Sequence, residues 1–300
     1  IVIGLLAAIV FLLPRISFAF SGDVMKLTVA ILFIIGPIGA IVNTIPQYST
    51  ANIAAENIFR LEATLELSSA RDHNGRAEAP QTEKFAGIDL RRVVFQYRDR
   101  GVGPAFRIGP IDLQVDPGSI VFIVGGNGSG KSTFLRTLTG LYAPTDGLVL
   151  LNNTLVSPEN VGWYRSHFSP IFSDYHLFDR LYGLRNTPTE RVQELLTLMQ
   201  IEDKVSFENG AFTTLELSSG QRKRLAMIVA LLEDRPILVL DEWAADQDPP
   251  FRRFFYEDLL PNLKRQGKTI IAATHDDRYF DTADRVLKME YGELTPYKAT

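Results

Sequence analysis

The glycine-rich segment at residues 125–133 constrains the fold of this chain more than any other part of its sequence. A largely β-branched and aromatic run at residues 119–124 precedes it, and residues 133–138 after it favour a helix. This order of strand, glycine loop and helix is typical of a phosphate-binding loop. The sequence therefore predicts nucleotide binding by the following residues: Gly125, Gly126, Asn127, Gly128, Ser129, Gly130, Lys131, Ser132 and Thr133.

The residue types in this loop suit phosphate chemistry. Glycines allow the backbone N–H groups to turn inward around an anion, and the following helix adds the positive end of its dipole. We expect Lys131 to reach the β- and γ-phosphates and Ser132 to place its hydroxyl on Mg²⁺. A mobile glycine loop with an unrelated lysine is the alternative, but chance would give this pattern in roughly one chain of this length in a hundred.

Composition narrows the class of protein. With 300 residues, 46% of them hydrophobic and 22% charged, the chain can form about two domains with a sizeable core. A net charge of −4 lacks the basic footprint of nucleic-acid binding, so we predict no nucleic-acid partner. The absence of cysteine excludes disulfides and thiolate metal sites, and the four histidines do not have a zinc-motif spacing.

Apolar residues dominate the start of the chain. Residues 1–13 would form a helix of about 20 Å, short of a bilayer core of about 30 Å, so we interpret them as the end of a span that begins before Ile1. A signal peptide is the alternative, but no positively charged leader precedes the cleavage-like residues 17–19. Residues 24–45 would measure about 33 Å and are predicted to cross the membrane, with a buried soluble helix as the alternative.

The pattern then changes twice. Residues 43–67 have amphipathic helical spacing, so residues 1–67 are interpreted as the C-terminal part of a transmembrane domain with a helical extension. Serine, charge and Pro80 mark a linker at residues 68–84. From residue 85 to 300, strand-like runs alternate with helical patterns, which predicts an α/β domain with a largely parallel core sheet and an antiparallel start. The predicted strands are 88–97, 106–115, 120–124, 148–151, 237–240 and 269–273, and the predicted helices are 189–200, 220–232 and 251–264.

Polar residues follow two of the apolar strands. Residues 237–240 end in Asp241 and Glu242, and residues 269–274 end in His275. Ligands bind at the carboxyl ends of strands in open α/β sheets. We expect Asp241 to hold Mg²⁺ through water, Glu242 to orient or deprotonate the attacking water, and His275 to contact the γ-phosphate. Taken alone, the carboxylates and the histidine could equally be structural.

A helix start between these motifs has two interpretations. Ser218, with Gln221 three residues later, forms a capping-box pattern. A helix start with free N–H groups and a hydroxyl is also an anion site. The residues concerned are Ser218, Ser219, Gly220 and Gln221.

The four motifs in this order resemble those of ATP-binding cassette (ABC) exporters: Walker A at 125–132, signature at 217–221, Walker B at 237–242 and the switch residue His275. The signature has Ser219 in place of a usual glycine. This resemblance implies an ABC-type P-loop nucleotide-binding domain with a helical subdomain that uses ATP and Mg²⁺, with Lys131, Glu242 and His275 in catalysis. It also implies that Tyr97 stacks on adenine and that Asp248 belongs to the D-loop.

The same resemblance implies a head-to-tail pair of domains, in which Ser218 and Gly220 of one subunit close over ATP held by Lys131 of the other. One departure is Ser173, which stands where the family usually has glutamine. Residues 241–249, 251–252, 255–256, 259–261 and 274–277 resemble those of a bacterial subgroup that exports cyclic peptides and peptide siderophores such as pyoverdine precursors.

These features predict a C-terminal fragment of a homodimeric half-transporter. We expect a multi-pass protein in the lipid bilayer of the bacterial inner membrane, with its ATPase domain in the cytoplasm and a peptide or siderophore as its exported substrate. Alternatives are export of a lipid or drug-like substrate, a soluble ABC ATPase in DNA repair or translation, and a protein that binds ATP only to gate.

Overall fold

The computed structural model describes residues 21–73, 84–97, 106–184 and 187–297. The chain divides into two compact units, residues 1–70 and 71–300, and each is described by itself. The predicted end of a first span at residues 1–13 lies outside the described residues, as does most of the predicted linker.

The described residues of the first unit form a long helix, α1 (Ser21–His73), which continues three residues beyond the unit boundary and has Pro37 and Pro46 inside it. This helix covers the predicted span, the predicted helical extension and the first residues of the predicted linker. The Thr50 hydroxyl donates to the carbonyl of Pro46 at 2.9 Å. Over the ranges that the structure describes, no helix is both long enough and apolar enough to cross a membrane. The span predicted at residues 24–45 is therefore not confirmed and stays a prediction.

The second unit alternates strands and helices. Its strands are β1 (Ile88–Gln96), β2 (Arg107–Val115), β3 (Ile120–Val124), β4 (Asp146–Leu151), β5 (Thr154–Leu155), β6 (Phe168–Ile171), β7 (Phe207–Glu208), β8 (Ala211–Phe212), β9 (Ile237–Asp241), β10 (Thr269–Ala273), β11 (Arg285–Glu290) and β12 (Glu293–Pro296). Its α-helices are α2 (Lys131–Leu138), α3 (Val161–Arg165), α4 (Thr189–Leu198), α5 (Ser219–Leu232), α6 (Pro249–Phe254) and α7 (Leu260–Arg265).

Two larger sheets organise this unit. An antiparallel sheet has the order β2-β1-β4-β5, and a six-stranded sheet has the order β12-β11-β3-β10-β9-β6. All neighbouring strands of the second sheet are parallel except for the β11–β12 pair. The predicted α/β class, with a mostly parallel core sheet and an antiparallel start, is confirmed.

The central strands β3, β9 and β10 are buried at every position. All their residues are apolar except Asp241 at the end of β9 and Thr269 at the start of β10. This is expected, because a strand covered on both faces needs apolar side chains on both. Strand β10 lies between β3 and β9, and Ala273 is opposite both Ile123 and Asp241. The carboxyl ends of all three strands therefore meet at one edge of the sheet.

Some elements differ from the predictions. Strand β6 was not predicted, because Ser169 and Pro170 interrupt its apolar pattern. It is an edge strand, where a proline that cannot donate a ladder hydrogen bond is tolerated. The predicted helix 251–264 consists of α6, a π-helical turn (Phe255–Leu259) and α7. Pro261, which cannot make the i→i−4 hydrogen bond, lies in the first turn of α7.

Candidate functional site

The glycine loop connects β3 to α2 and passes close to neighbouring backbone. A Cβ atom on Gly125 would lie 2.1 Å from the carbonyl oxygen of Met289, which no side chain could tolerate. Gly130, at the start of α2, has φ of 112°, in the region that favours glycine. These two glycines allow the loop to turn tightly before the helix begins.

Lys131 is the first residue of α2 and is buried, with 5% of its surface exposed. Its ammonium donates to the carbonyl oxygens of Gly125 at 2.8 Å and Gly126 at 3.2 Å. The same Nζ atom lies 3.2 Å from Oε1 of Glu242. A buried ammonium is thus held at the mouth of the loop, where phosphate oxygens could replace the carbonyls as its partners.

Glu242 follows β9 directly, and its carboxylate contacts both Lys131 and His275. Its Oε1 atom lies 2.9 Å from Nε2 of His275, which follows β10, and 3.2 Å from Nζ of Lys131. Burial favours the neutral carboxyl, but hydrogen bonds from His275 and Lys131 outweigh it and hold the pKa of Glu242 below its usual value. The group is therefore ionised at neutral pH and able to accept a proton.

Asp241, the last residue of β9, has only 1% of its surface exposed. Its Oδ2 atom accepts a hydrogen bond from the Ser173 hydroxyl at 3.3 Å, whereas Oδ1 has no hydrogen-bond partner among the described residues. A buried carboxylate oxygen without a partner is costly and suits a bound cation.

These residues fit Mg²⁺. Within the described ranges, no group of three or more histidine, aspartate or glutamate side chains could hold a metal ion. Mg²⁺ takes one or two protein oxygens together with water and phosphate oxygens, and the unpartnered Oδ1 atom of Asp241 is such an oxygen. Asp241 and Ser132 would hold the ion, which when bound would neutralise charge on the phosphates.

A cavity of about 440 Å³ lies between the glycine loop and Glu242. The Tyr97 ring is part of its wall and is 38% exposed, and the Tyr97 hydroxyl lies 3.2 Å from Oγ1 of Thr133. Phe106, which the sequence analysis did not single out, also lines it. Its backbone carbonyl accepts a hydrogen bond from the Tyr97 N–H, a contact that no local sequence pattern predicts. The lining residues are Tyr97, Phe106, Asn127, Gly128, Ser129, Gly130, Lys131, Ser132, Thr133 and Glu242.

The predicted capping box is present at the start of α5. The Ser218 hydroxyl accepts from the backbone N–H of Gln221 at 3.3 Å, and the Gln221 side chain accepts from the backbone N–H of Ser218 at 3.1 Å. A Cβ on Gly220 would lie 2.6 Å from the carbonyl oxygen of Asp246, so glycine is required there. Ser219 is the first residue of the helix. None of these signature residues is among those that line the cavity.

Asp248 lies at the start of α6 and forms part of a polar network that the sequence analysis missed. Its Oδ1 accepts from the backbone N–H of Phe251 at 3.0 Å, and the Arg224 guanidinium pairs with its other oxygen. The Phe251 N–H, together with Arg224, lowers the pKa of Asp248 below its usual value. Gln247 accepts from Arg224 at 2.8 Å and donates to the carbonyl oxygen of Gly220 at 3.1 Å, which ties the signature segment to the segment after β9.

Comparison with known proteins agrees with this geometry. The family model described as ABC transporter matches residues 108–245. The ATP-binding protein SyrD of Pseudomonas syringae pv. syringae is 42% identical over 296 residues, which cover 96% of this chain and 52% of SyrD. The chain thus spans about half the length of this relative.

A second relative matches over most of its own length. The energy-coupling factor transporter ATP-binding protein EcfA1 of Mycoplasma pneumoniae is 32% identical, over 71% of this chain and 79% of EcfA1. The solved structure of cbiO1 from Clostridium perfringens, part of the ABC transporter complex cbiONQ, has a TM-score of 0.57 and 26% identity. It covers 70% of this chain and 87% of cbiO1. The chain therefore belongs to the ABC transporter family and carries an ATPase domain of that family.

Proposed function

We propose that this chain is the ATP-hydrolysing part of a membrane exporter that moves a cyclic peptide or peptide siderophore out of the bacterial cytoplasm, as one half of a homodimer. The proposal of ATP hydrolysis rests on one observation: Lys131 and His275 both contact the Oε1 atom of Glu242. The substrate class rests on the likeness of residues 241–249, 251–252, 255–256, 259–261 and 274–277 to those of the peptide-exporting subgroup.

The proposed reaction is attack of water on the γ-phosphate of ATP, which forms a new P–O bond and breaks the bond to the β-phosphate oxygen, so that ADP and inorganic phosphate leave. Lys131 binds the β- and γ-phosphates, and its charge stabilises the negative charge that develops on them. The ionised Glu242 accepts the proton of the attacking water. His275 holds Glu242 through Nε2 and contacts the γ-phosphate, so that base and phosphate keep one relative geometry. Tyr97 stacks on the adenine and sets the position of the nucleotide in the cavity.

A second subunit completes this proposal. Ser218, Ser219, Gly220 and Gln221 lie outside the lining of the cavity in their own chain. They form the start of a helix of 14 residues, whose N–H groups and dipole suit an anion. In a head-to-tail pair, this helix start binds the γ-phosphate of the ATP that Lys131 of the other subunit holds. Asp248 lies beside it and contributes to the same contact.

The membrane part of the proposal concerns α1. Large apolar side chains along this helix are more than half exposed: Val29, Phe33, Ile34, Ile38, Val42 and Ile45. A continuous exposed apolar surface marks a site of contact with a membrane or another protein. We assign this surface to lipid and to neighbouring helices of a multi-pass inner-membrane protein. Its ATPase domain faces the cytoplasm, where ATP is available.

The membrane assignment predicts how the protein is extracted. We expect the intact protein to stay in the membrane fraction through high-salt and alkaline carbonate washes, because burial of the α1 side chains in lipid does not depend on charge. Detergent should release it. An integral protein and a peripheral protein of the same membrane serve as controls in the same fractions. Release by salt or carbonate would favour the soluble ABC ATPase instead.

Transport itself tests the proposed substrate. Inside-out vesicles that contain the intact protein should accumulate a labelled cyclic peptide or siderophore precursor when ATP is added. Vesicles with the Glu242→Gln variant, matched in amount, should not. If the vesicles accumulate a lipid or drug-like probe but not the peptide, the exported substrate belongs to that other class and the peptide proposal is wrong. ATP hydrolysis without transport of any of these would contradict export.

A further inference from the structure

Lys223 lies one turn into α5 and is buried, with only 7% of its surface exposed. Its ammonium donates to the carbonyl oxygen of Glu242 at 2.8 Å and pairs with Oδ2 of Asp246 at 2.8 Å. Lysine is rarely buried this far unless it is paired. The buried Lys223 ammonium therefore binds the main chain of Glu242, whose side chain is the proposed base.

The backbone of Glu242 has a conformation that needs such support. Its φ of 50° and ψ of 37° lie in the left-handed region, which residues with a Cβ rarely adopt. The Glu242 N–H donates to the carbonyl oxygen of Ala273 at 3.1 Å, while the Glu242 carbonyl accepts from Lys223. A strained residue keeps its conformation only when surrounding contacts fix it. These two contacts hold the residue from both sides.

The same conformation places the Glu242 carboxylate. Its Oε1 atom reaches Nζ of Lys131, the first residue of α2, and Nε2 of His275, which follows β10. Two lysines therefore contact one residue: Lys131 binds its side chain and Lys223 binds its main chain. Rotation of the Glu242 peptide would move the carboxylate away from the attacking water, and a displacement of about 1 Å can cost about 100-fold in rate.

A second contact, which does not involve the Lys223 ammonium, also holds α5 against the segment after β9. The indole N–H of Trp243 donates to the main-chain oxygen of Lys223 at 2.9 Å. Trp243 is buried and stacks on Phe255, with ring centroids 4.5 Å apart. Removal of the ammonium alone should therefore leave the helix in place and release only the Glu242 carbonyl and Asp246.

We propose that Lys223 is a positioning residue for ATP hydrolysis, whose ammonium holds the Glu242 peptide in the orientation that aims the carboxylate at the attacking water. This inference rests on the role proposed for Glu242. It concerns a residue outside the cavity lining, and it acts through the main chain of the base and not through the nucleotide.

The direct test is Lys223→Met in the intact protein, because methionine has a similar length and lacks the donor. We expect kcat for ATP hydrolysis to fall about tenfold or more, with the KM for ATP within about twofold of the parent. The melting temperature should fall by only a few degrees, because the Glu242 carbonyl loses one hydrogen-bond donor while the helix keeps its other contacts. The matched control is Lys204→Met, which removes an exposed lysine paired with Asp203 at 2.9 Å and should leave kcat unchanged.

A double-mutant cycle separates positioning from a general structural effect. In the Glu242→Gln background, Lys223→Met should cause no further loss of rate, because no carboxylate base remains to be placed. A structural role would lower the rate by the same factor in both backgrounds, and this result would overturn the proposal. Parent-level hydrolysis by Glu242→Gln alone would overturn the role of the base and this inference with it.

Asp246→Asn provides a second variant if Lys223→Met does not fold. Asp246 is 44% exposed on its side chain, so the asparagine is tolerated, while the ammonium loses its charged partner. We expect a fall in kcat of about threefold or more at unchanged KM. A parent-level kcat in this variant, or in folded Lys223→Met, would overturn the assignment of Lys223 while leaving the role of Glu242 intact.

Discussion

Replacement of Glu242 by glutamine is expected to slow ATP hydrolysis by about 10²- to 10⁴-fold, the usual contribution of a general base. Glutamine has the same shape, so its carbonyl oxygen can still accept from Lys131 and His275, which now contact Oε1 at 3.2 Å and 2.9 Å. ATP should therefore bind with an affinity within about twofold of the parent. Steady-state phosphate release and a nucleotide titration on the same preparation measure both effects.

The matched control is Glu257→Gln. Glu257 is a partly exposed glutamate that pairs with Arg253 at 2.7 Å, and its replacement should leave hydrolysis unchanged. Hydrolysis by Glu242→Gln near the parent rate would remove Glu242 from the proposed mechanism. Loss of hydrolysis would argue against a protein that binds ATP only to gate, because such a protein does not depend on a base.

The Lys131→Ala variant is expected to act on binding first. In the parent protein, the Lys131 ammonium is buried beside the carbonyls of Gly125 and Gly126, where it would donate to phosphate oxygens. Hydrogen bonds to charged groups contribute about 1.5–3 kcal/mol, which corresponds to a Kd for ATP raised about 10- to 150-fold. Hydrolysis should fall as well, because the charge that develops on the phosphates loses a stabilising cation. Titration with ATP followed by nucleotide fluorescence or calorimetry gives the Kd directly.

Lys204→Ala serves as the matched control for this titration, since Lys204 is exposed and should not affect the Kd. A melting curve without nucleotide shows whether Lys131→Ala is folded. ATP affinity equal to the parent in a folded Lys131→Ala variant would contradict the assignment of residues 125–133 as the phosphate site.

Local patterns predicted the elements that carry the chemistry. The buried strands β3, β9 and β10 were evident because a strand covered on both faces is apolar at nearly every position. Glycine spacing predicted the loop, and Ser218 with Gln221 predicted the capping box that the structure contains. Local patterns did not predict strand β6, because it contains Ser169 and Pro170. Pro170 is tolerated at the edge of the sheet, and the Ser169 hydroxyl donates to Glu233.

The sequence by itself determined the fold class and the residues with the right chemistry, because strand periodicity, glycine content and helix caps depend on neighbours a few positions apart. Only the tertiary structure decided which of these residues meet. Lys131, Glu242 and His275 are far apart along the chain and come together because β10 lies between β3 and β9. The contacts of Lys223 with Glu242 and Asp246 likewise follow from the packing of α5 against β6 and against the segment at residues 243–246 that follows β9. Packing between distant segments leaves no periodic signal in a single sequence.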